Sequence, residues 1–364
     1  LFSVILGFIP AVVLTLTAPD GLKPNKAVYE TLSLIVNIFR SFPFIILLAL
    51  SVSYLSYLVR FFKHKQYLWA LSISALLIVN YNDYESTSTL INNVKDYKIL
   101  DLVLVVDNKS SDSSFDKLLK LENKKIKVIS TEENKGYGYA INYGAKYIID
   151  KYKNSNLIVS NADIVIKSED DLKLLIEDLD HYNLVGPAIN THGSISRGWK
   201  IPSPMLEVGL NLVYFYKLFE KKYMYYNDEY YKGNIVPVET LSGCFFLINT
   251  DTLKKANFFD ENIFLYYEEN ILGRKIKDKK VIDNRVEIIH NHSVTINKNM
   301  KKIGKYKALK KSQRYFEKYY NNANIFELFL LFITNKLSLL IYYVIYFIED
   351  IIKHWLKANN MIEC

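Results

Sequence analysis

Amides and carboxylates recur in this chain directly after short apolar runs, and those are the residues whose types and spacing could do chemistry. Leu157-Ile-Val-Ser160 is strand-like and runs into Asn161-Ala-Asp163, after which Glu169-Asp170-Asp171-Leu172 opens a helical pattern. A buried strand that stops at an acid is a place to hold a divalent cation, since ligands of open α/β sheets bind beyond the carboxyl ends of the strands. Asp163 is therefore a candidate metal ligand, although Asn161-Ala-Asp163 alone also reads as an ordinary turn and helix cap. The pattern repeats upstream: Asn80 and Asn82 follow one apolar run, Asp107-Asn-Lys-Ser-Ser-Asp112 a second, and Asn134-Lys-Gly-Tyr-Gly138 a third. One such cluster is common turn chemistry, whereas four in succession point to a shared ligand. Asp107 and Asn108 suit a base or ribose edge, and Gly136 and Gly138 let backbone approach a ligand closely.

These clusters need a scaffold that brings strand ends together. From Ala75 the chain alternates strand and helix patterns, the signature of an α/β, mostly parallel sheet covered by helices. Strands are expected at Ala75–Asn80, Leu102–Asp107, Ile126–Ser130 and Leu157–Ser160, and helices at Tyr84–Val94 and Tyr139–Tyr152. Gly186-Pro187 is expected to end a fifth strand.

The ends of the 364-residue chain differ from its middle. Leu1–Ala18 and Ser41–Val59 are uncharged apolar runs that nearly meet the roughly 20 residues needed to cross a bilayer. Arg60, Lys63, His64 and Lys65 follow the second, which by the positive-inside rule places everything after Val59 in the cytoplasm. Near the other end, residues 301–320 carry eight Lys or Arg and one Glu, and Ile325–Ile348 is apolar except for Glu327 and Lys336. A basic helix followed by an apolar one suits attachment to an anionic inner leaflet, with the two charges favouring an in-plane hairpin over a crossing. The formal net charge is +8. Its basic residues gather beside the apolar ends, which fits a lipid surface better than nucleic acid. Two cysteines, Cys244 and Cys364, are too few for a disulfide framework or a cysteine zinc site. The chain starts at Leu1 without a Met, which implies an upstream stretch.

The order Leu77-Ile-Val-Asn-Tyr-Asn82, Val105-Val-Asp-Asn-Lys-Ser-Ser-Asp112, Asn134-Lys-Gly-Tyr-Gly-Tyr-Ala-Ile-Asn142 and Ser160-Asn-Ala-Asp163 resembles family 2 glycosyltransferases, in particular the bacterial rhamnosyltransferase-like branch, from about Ala75 to Tyr320. The resemblance implies a GT-A fold, a dTDP- or UDP-linked sugar donor, Mg2+ or Mn2+, and inversion at the anomeric carbon. It implies donor contacts from Asn80, Asn82, Asp107, Asn108, Asn134, Gly136, Asn142 and Asn161, with Asp163 on the metal. Asn161 stands where the family has the first acid of its DxD-type motif. Gly198-Trp199 and Glu239-Thr-Leu-Ser-Gly243 resemble segments on the acceptor side, and Tyr-, Phe- and Lys-rich residues 205–232 could grip a sugar or lipid diphosphate. In Phe258-Phe-Asp-Glu-Asn-Ile-Phe-Leu-Tyr-Tyr-Glu-Glu-Asn-Ile-Leu-Gly-Arg274, Glu269 occupies the family's base position, with Glu268 as the fallback. A base there would take the acceptor's proton. A second family Asp is replaced by Ile271, and Arg274 could meet the donor diphosphate. His290-Asn-His292 resembles a late histidine motif, with His292 the expected metal ligand.

A separate resemblance covers residues 1–50: Thr17-Ala-Pro-Asp-Gly-Leu-Lys-Pro-Asn25 and Leu34-Ile-Val-Asn-Ile-Phe-Arg-Ser-Phe-Pro-Phe-Ile-Ile46 resemble a methionine-type ABC transporter permease, without the coupling loop that follows in that family. The expected organisation is thus a membrane segment at 1–66, a GT-A domain at 74–300 and membrane-associated helices at 301–364. The expected function is sugar transfer to a lipid-linked or polysaccharide acceptor in cell-surface polysaccharide synthesis, at the cytoplasmic side of the cell membrane. The alternative is a non-catalytic, transport-associated protein with a degenerate nucleotide-sugar site. A nucleotidyltransferase would need a Gly-rich, cationic loop where Asn80-Tyr-Asn-Asp83 stands, and a transport ATPase component would need a P-loop. A nicotinamide dehydrogenase would need a third Gly after Gly136-Tyr-Gly138.

Overall fold

The computed structural model describes Glu30 and residues 73–152, 154–212, 222–291 and 302–358. The chain divides into two compact units, 1–70 and 71–364, and all described residues except Glu30 lie in the second. The expected N-terminal membrane helices and the permease-like stretch lie outside the described residues.

The second unit is built on a ten-stranded sheet. Strands β1 (Ile73–Asn80), β2 (Leu102–Asp107), β3 (Ile126–Ser130) and β4 (Ser155–Asn161) lie in the order β3-β2-β1-β4, all parallel. The reason is visible in β1, whose successive side chains serve opposite faces. Leu76 and Ile78 join one buried layer with Leu90, Ile91 and Val94 of α1 (Tyr84–Val94). Ala75 and Leu77 join the other with Ala140, Ile141 and Ile148 of α3 (Tyr137–Tyr152). A strand buried on both faces has to be apolar throughout, and all six residues of β2 are buried. Short helix α2 (Ser114–Leu119) follows β2, and α4 (Glu169–Asp178) starts on Ser168, whose hydroxyl accepts from Asp171 N at 3.2 Å.

Beyond β4 the sheet becomes mixed. The path continues through β9 (Phe245–Asn249), β6 (Leu184–Thr191), β10 (Lys280–His290) and the two-residue β5 (Ile164–Val165). Short strands β7 (Ser194–Ser196) and β8 (Ile235–Pro237) pair with β6 and β10. The Gly186-Pro187 pair does not end its strand; both residues are buried inside β6. Pro187 lacks the N–H a central strand needs, and β10 shifts register between Asp283 and Glu287, where Pro187 and Ala188 face it.

Two long helices close the chain, α8 (Lys302–Tyr319) and α9 (Ile325–Ala358), after α5 (Pro204–Leu210), α6 (Thr250–Lys255) and α7 (Glu268–Lys275). The stretch Ile325–Ile348 of α9 is long and apolar enough to cross a membrane, and only 11% of its most apolar window is buried. Phe316 of α8 is completely buried with Ile201, Ile263 and Ile271, so α8 packs on the sheet-bearing unit through an apolar seam of its own.

Candidate active site

Registration of the parallel strands lines up the polar residues that end them. Asn80 pairs with Asp107, Asp107 with Ser130, and Val79 with Asn161. The chain lays β2 and β3 on one side of β1 and then crosses to add β4 on the other, and an open sheet forms its ligand crevice at such a switch point.

On the β1–β3 side the residues form linked loops. Asn80 Nδ2 donates to Asp107 Oδ1 at 2.7 Å, and the Thr87 hydroxyl donates to Asn80 Oδ1 at 2.8 Å. Asp107 also accepts from Ser110 N at 2.9 Å, and Ser110 Oγ in turn accepts from Asn82 N at 2.8 Å. Asn108 Nδ2 donates to Asn134 Oδ1 at 2.9 Å and to Gly136 O at 3.1 Å. The structure thus brings Asn80, Asn82, Asp107, Asn108, Asn134 and Gly136 together. The buried Asn80, Asp107 and Asn108 act chiefly by fixing loop shape, and Asn82 and Asn134, which also bond within the loops, are the more exposed of the set.

Two expected donor contacts have other surroundings. Asn142 is buried and spends its amide on the segment before α7, donating to Phe259 O and Glu261 Oε1 and accepting from Phe259 N. It fastens that segment to α3. Arg274 lies near the far end of α7 and donates to Asn321 Oδ1 beyond α8, where no donor loop is found. Its charge serves the contact between α7 and the C-terminal arm.

Gly136 carries the contact between the donor loops and the α7 approach. Its φ is +110°, and a Cβ there would lie 2.1 Å from Phe264 O. The same carbonyl accepts from Tyr137 N at 3.1 Å. Gly136→Ala combines backbone strain of about 1–3 kcal/mol with a backbone clash. It is expected to lower the melting temperature by several degrees, and wild-type melting would show that Phe264 does not sit there.

On the β4 side, antiparallel pairing delivers what the parallel strands cannot. β9 brings Cys244 against the end of β4, where Asn161 N donates to Cys244 O at 2.8 Å. β10 pairs with β5 so that His290 faces Ile164, and Asn291 N donates to Asp163 O at 2.9 Å. The result is His290 Nε2 at 3.2 Å from Asp163 Oδ1, both largely buried. Burial opposes the imidazolium, but hydrogen bonds to Asp163 and Cys244, reinforced by their charges, win and push His290 up to about 10. His290, rather than the expected His292, is therefore the histidine found beside Asp163; His292 lies outside the described residues.

A carboxylate and an imidazole held this close suit a divalent cation as a pair of protein ligands, provided that His290 gives up its proton as the cation binds. Among the described residues no group of three or more His, Cys, Asp and Glu side chains gathers to hold a metal. The protein share of a site would be Asp163 and His290, with diphosphate oxygens and water completing it, as suits Mg2+ or Mn2+.

The third part of the site is the start of α7. Tyr266 and Tyr267 both adopt left-handed backbone, φ 70° and 69°, an unfavourable conformation for aromatic residues. They aim Glu268 and Glu269 inward, and Tyr267 is held by a 3.0 Å hydrogen bond from its hydroxyl to Glu207 Oε1. Both carboxyls flank Tyr137 and Gly243 around a small cavity. The Tyr137 hydroxyl donates to Gly243 O at 3.0 Å. Burial raises its pKa well above the ordinary value, and the charges of Cys244, Glu268, Asp163 and Glu269 raise it further, so this phenol stands among all four. Tyr137, Cys244 and His290 lie inside segments whose motifs stand out in the sequence but were given no role there, and Glu207 lies in the Tyr-, Phe- and Lys-rich stretch 205–232 with no signal of its own.

The two glutamates divide the labour. Glu268 is 5% exposed, its Oε1 has no hydrogen-bond partner among the described residues, and burial followed by the charge of Glu269 pushes its carboxyl well up. Burial also raises Glu269; the repulsion between the two carboxylates is mutual, and the more enclosed Glu268, with its unpartnered oxygen, is the one less able to carry charge. Glu269 thus ionises first and Glu268 keeps its proton. Below the ordinary Glu value of 4.5 both folded and unfolded chains hold the Glu268 proton, and above it only the unfolded chain releases it freely. Stability is lost as pH rises through that window, by at most ~1.4 kcal/mol per pH unit. Glu268→Gln should flatten the fall of melting temperature over this range; an unchanged slope would mean Glu268 is ionised in the fold.

Trp199 and Gly243 sit on the neighbouring rim. Trp199 bridges to Thr240, and its Nε1 donates to Asn270 Oδ1 of α7 at 3.2 Å. Gly243 leaves Glu269 Oε2 only 3.7 Å from the position a Cβ would take.

A helix-covered sheet with polar loops, an acid–imidazole pair and buried carboxylates at its carboxyl edge defines an α/β transferase fold of the GT-A type. Residues 75–255 match the family described as Glycosyl transferase family 2. No curated protein sequence matches it. Similar solved structures include GalNAc-T7 with UDP, GalNAc and Mn2+ (16% identity, 60% of this chain and 44% of that chain, TM-score 0.47). Another is the mannosyltransferase PcManGT from Pyrobaculum calidifontis with GDP-Man and Mn2+ (13% identity, 79% of this chain and 84% of that chain, TM-score 0.42). A third is glucosyl-3-phosphoglycerate synthase from Mycobacterium tuberculosis with Mn2+, UDP-Glc and phosphoglyceric acid (14% identity, 33% and 44%, TM-score 0.27). The chain spans less than half the length of the first of these.

Proposed function

We propose that this protein is an inverting glycosyltransferase that moves a sugar, rhamnose in the leading case, from a dTDP- or UDP-linked donor to a lipid-linked or polysaccharide acceptor. The setting is cell-surface polysaccharide assembly at the cytoplasmic face of the cell membrane. The observation that carries the reading is the convergence of Asp163–His290 with Glu268–Glu269 around Tyr137, next to the loops ordered by Asn80 and Asp107.

Each residue has a part. The loops at Asn82 and Asn134–Gly136 receive the nucleoside. Asp163 and His290 would hold a divalent cation, which when bound neutralises the leaving diphosphate. Glu269 accepts the proton of the attacking hydroxyl, while the neutral Glu268 beside it adds no second negative charge against the departing one. Tyr137 ties the Gly243 backbone to the donor loop and so fixes the distance between the two halves of the site.

Calorimetric titration of the purified chain in neutral detergent with UDP, dTDP and GDP, with and without Mn2+, tests the reading. Binding of one nucleotide that requires the metal is expected. Absence of binding for all three would leave the domain a degenerate, non-catalytic one.

A further inference from the structure

Helices α8 and α9 enclose a cleft of about 710 Å³ together with residues 262–264. Cationic and aromatic side chains line both of its helical walls. Lys307, Lys311, Arg314 and Lys318 come from α8 and Lys336 from α9. Among the described residues none of the five is paired with a carboxylate. Arg314 and Lys336 instead lie over the Phe332 ring, at 5.2 and 5.5 Å, and Lys307 over Tyr343 at 5.7 Å. A surface that had only to stay soluble would intersperse acids, and α8 has one, Glu317, which is completely buried and faces away from this cleft toward Asn321. So much uncompensated charge in a concavity is complementary to a ligand with more than one negative charge.

The same cleft opens onto the uncovered side of α9. Phe326, Phe329, Leu340 and Phe347 are each more than half exposed, an apolar face far too continuous for water. Its occupant therefore needs a multiply charged head and a long hydrocarbon tail. The other wall, Asn262-Ile263-Phe264, is followed in the chain by Tyr266, Tyr267 and the two glutamates that open α7, and Ser312 on the cleft donates to the intervening Leu265 O at 2.7 Å.

We propose that the cleft between α8 and α9 binds the diphosphate of a lipid carrier, with the hydrocarbon lying along the exposed face of α9 and the attached saccharide directed toward Glu269. The assignment deepens the glycosyl-transfer reading and rests on it for one point, that the lipid is the acceptor's carrier.

The test uses the full chain in neutral detergent, titrated with farnesyl diphosphate, inorganic diphosphate and phosphatidylglycerol vesicles. Farnesyl diphosphate should bind and should bind at least tenfold more weakly to the exposed-residue variant Lys311→Ala/Arg314→Ala, while metal-dependent nucleotide binding at Asp163 stays unchanged. The second pair, Lys307→Ala/Lys336→Ala, should act in the same direction. Equal affinity for inorganic diphosphate would overturn the role of the tail. Loss of vesicle binding with farnesyl diphosphate binding intact would overturn the site in favour of a surface patch for bilayer headgroups. Unaltered binding in both variants would overturn it outright. If wild-type chain binds no nucleotide yet binds farnesyl diphosphate through Arg314, the cleft stands and the transfer reading is what falls.

Discussion

Glu269→Gln is expected to cut sugar transfer by ~10²–10⁴-fold, the usual worth of a positioned general base, while leaving nucleotide affinity within twofold or so of wild type. The substitution keeps size and hydrogen-bonding capacity but removes the atom that accepts the proton. Glu268→Gln provides the contrast: because burial and the neighbouring charge already hold Glu268 neutral, its amide should cost far less activity. The pH profile of kcat/KM checks the same assignment from another side. Transfer needs ionised Glu269, and burial raises that carboxyl, so the rate should climb with pH along a limb whose midpoint lies above the ordinary Glu value of 4.5. Near-wild-type transfer by Glu269→Gln would dismiss it as the base.

Asp163→Ala should abolish the metal-dependent part of nucleotide binding. Losing a mere supporting partner of a metal ligand costs ~10–100-fold in affinity, so losing the ligand itself should weaken binding by about 10²-fold or more. Titrations at several Mn2+ concentrations separate this from general damage, because the metal-independent remainder should match wild type. An Asp163→Ala protein whose nucleotide affinity still rises with Mn2+ would move the metal elsewhere. The His290 partner variant, His290→Ala, should follow in the same direction with a smaller loss, since an anionic ligand contributes more than a neutral imidazole to a hard cation.

The parallel half of the fold was legible because its physics is local. β1, β2 and β4 carry apolar runs that stop at Asn80, Asp107 and Asn161, as a doubly buried strand must, and the edge strand β3 alternates in burial up to Ser130. The helix expected from Tyr84 to Val94 is found at those residues. Asp163 could be located for the same reason. What escaped was whatever depends on distant pairing. β5 has two residues, too few to show a period, yet its pairing with β10 is what seats His290 beside Asp163. Pro187 looked like a strand end because a proline has no N–H to give a central strand, and a register shift in the partner strand lies opposite it. The left-handed pair at Tyr266 and Tyr267 leaves no trace in composition, since tyrosine is not a residue chosen for that conformation.

The support of that strained pair reaches into the C-terminal arm. Ser312 donates to Leu265 O at 2.7 Å, Gln313 donates to the Glu207 carboxylate that also holds Tyr267, and the Phe316 ring lies 5.4 Å from that of Tyr267. Anyone trimming this protein for expression at residue 300, where the sequence invites a cut, would keep the sheet and discard the brace behind its two glutamates. Such a fragment could still recognise nucleotide and yet turn over nothing.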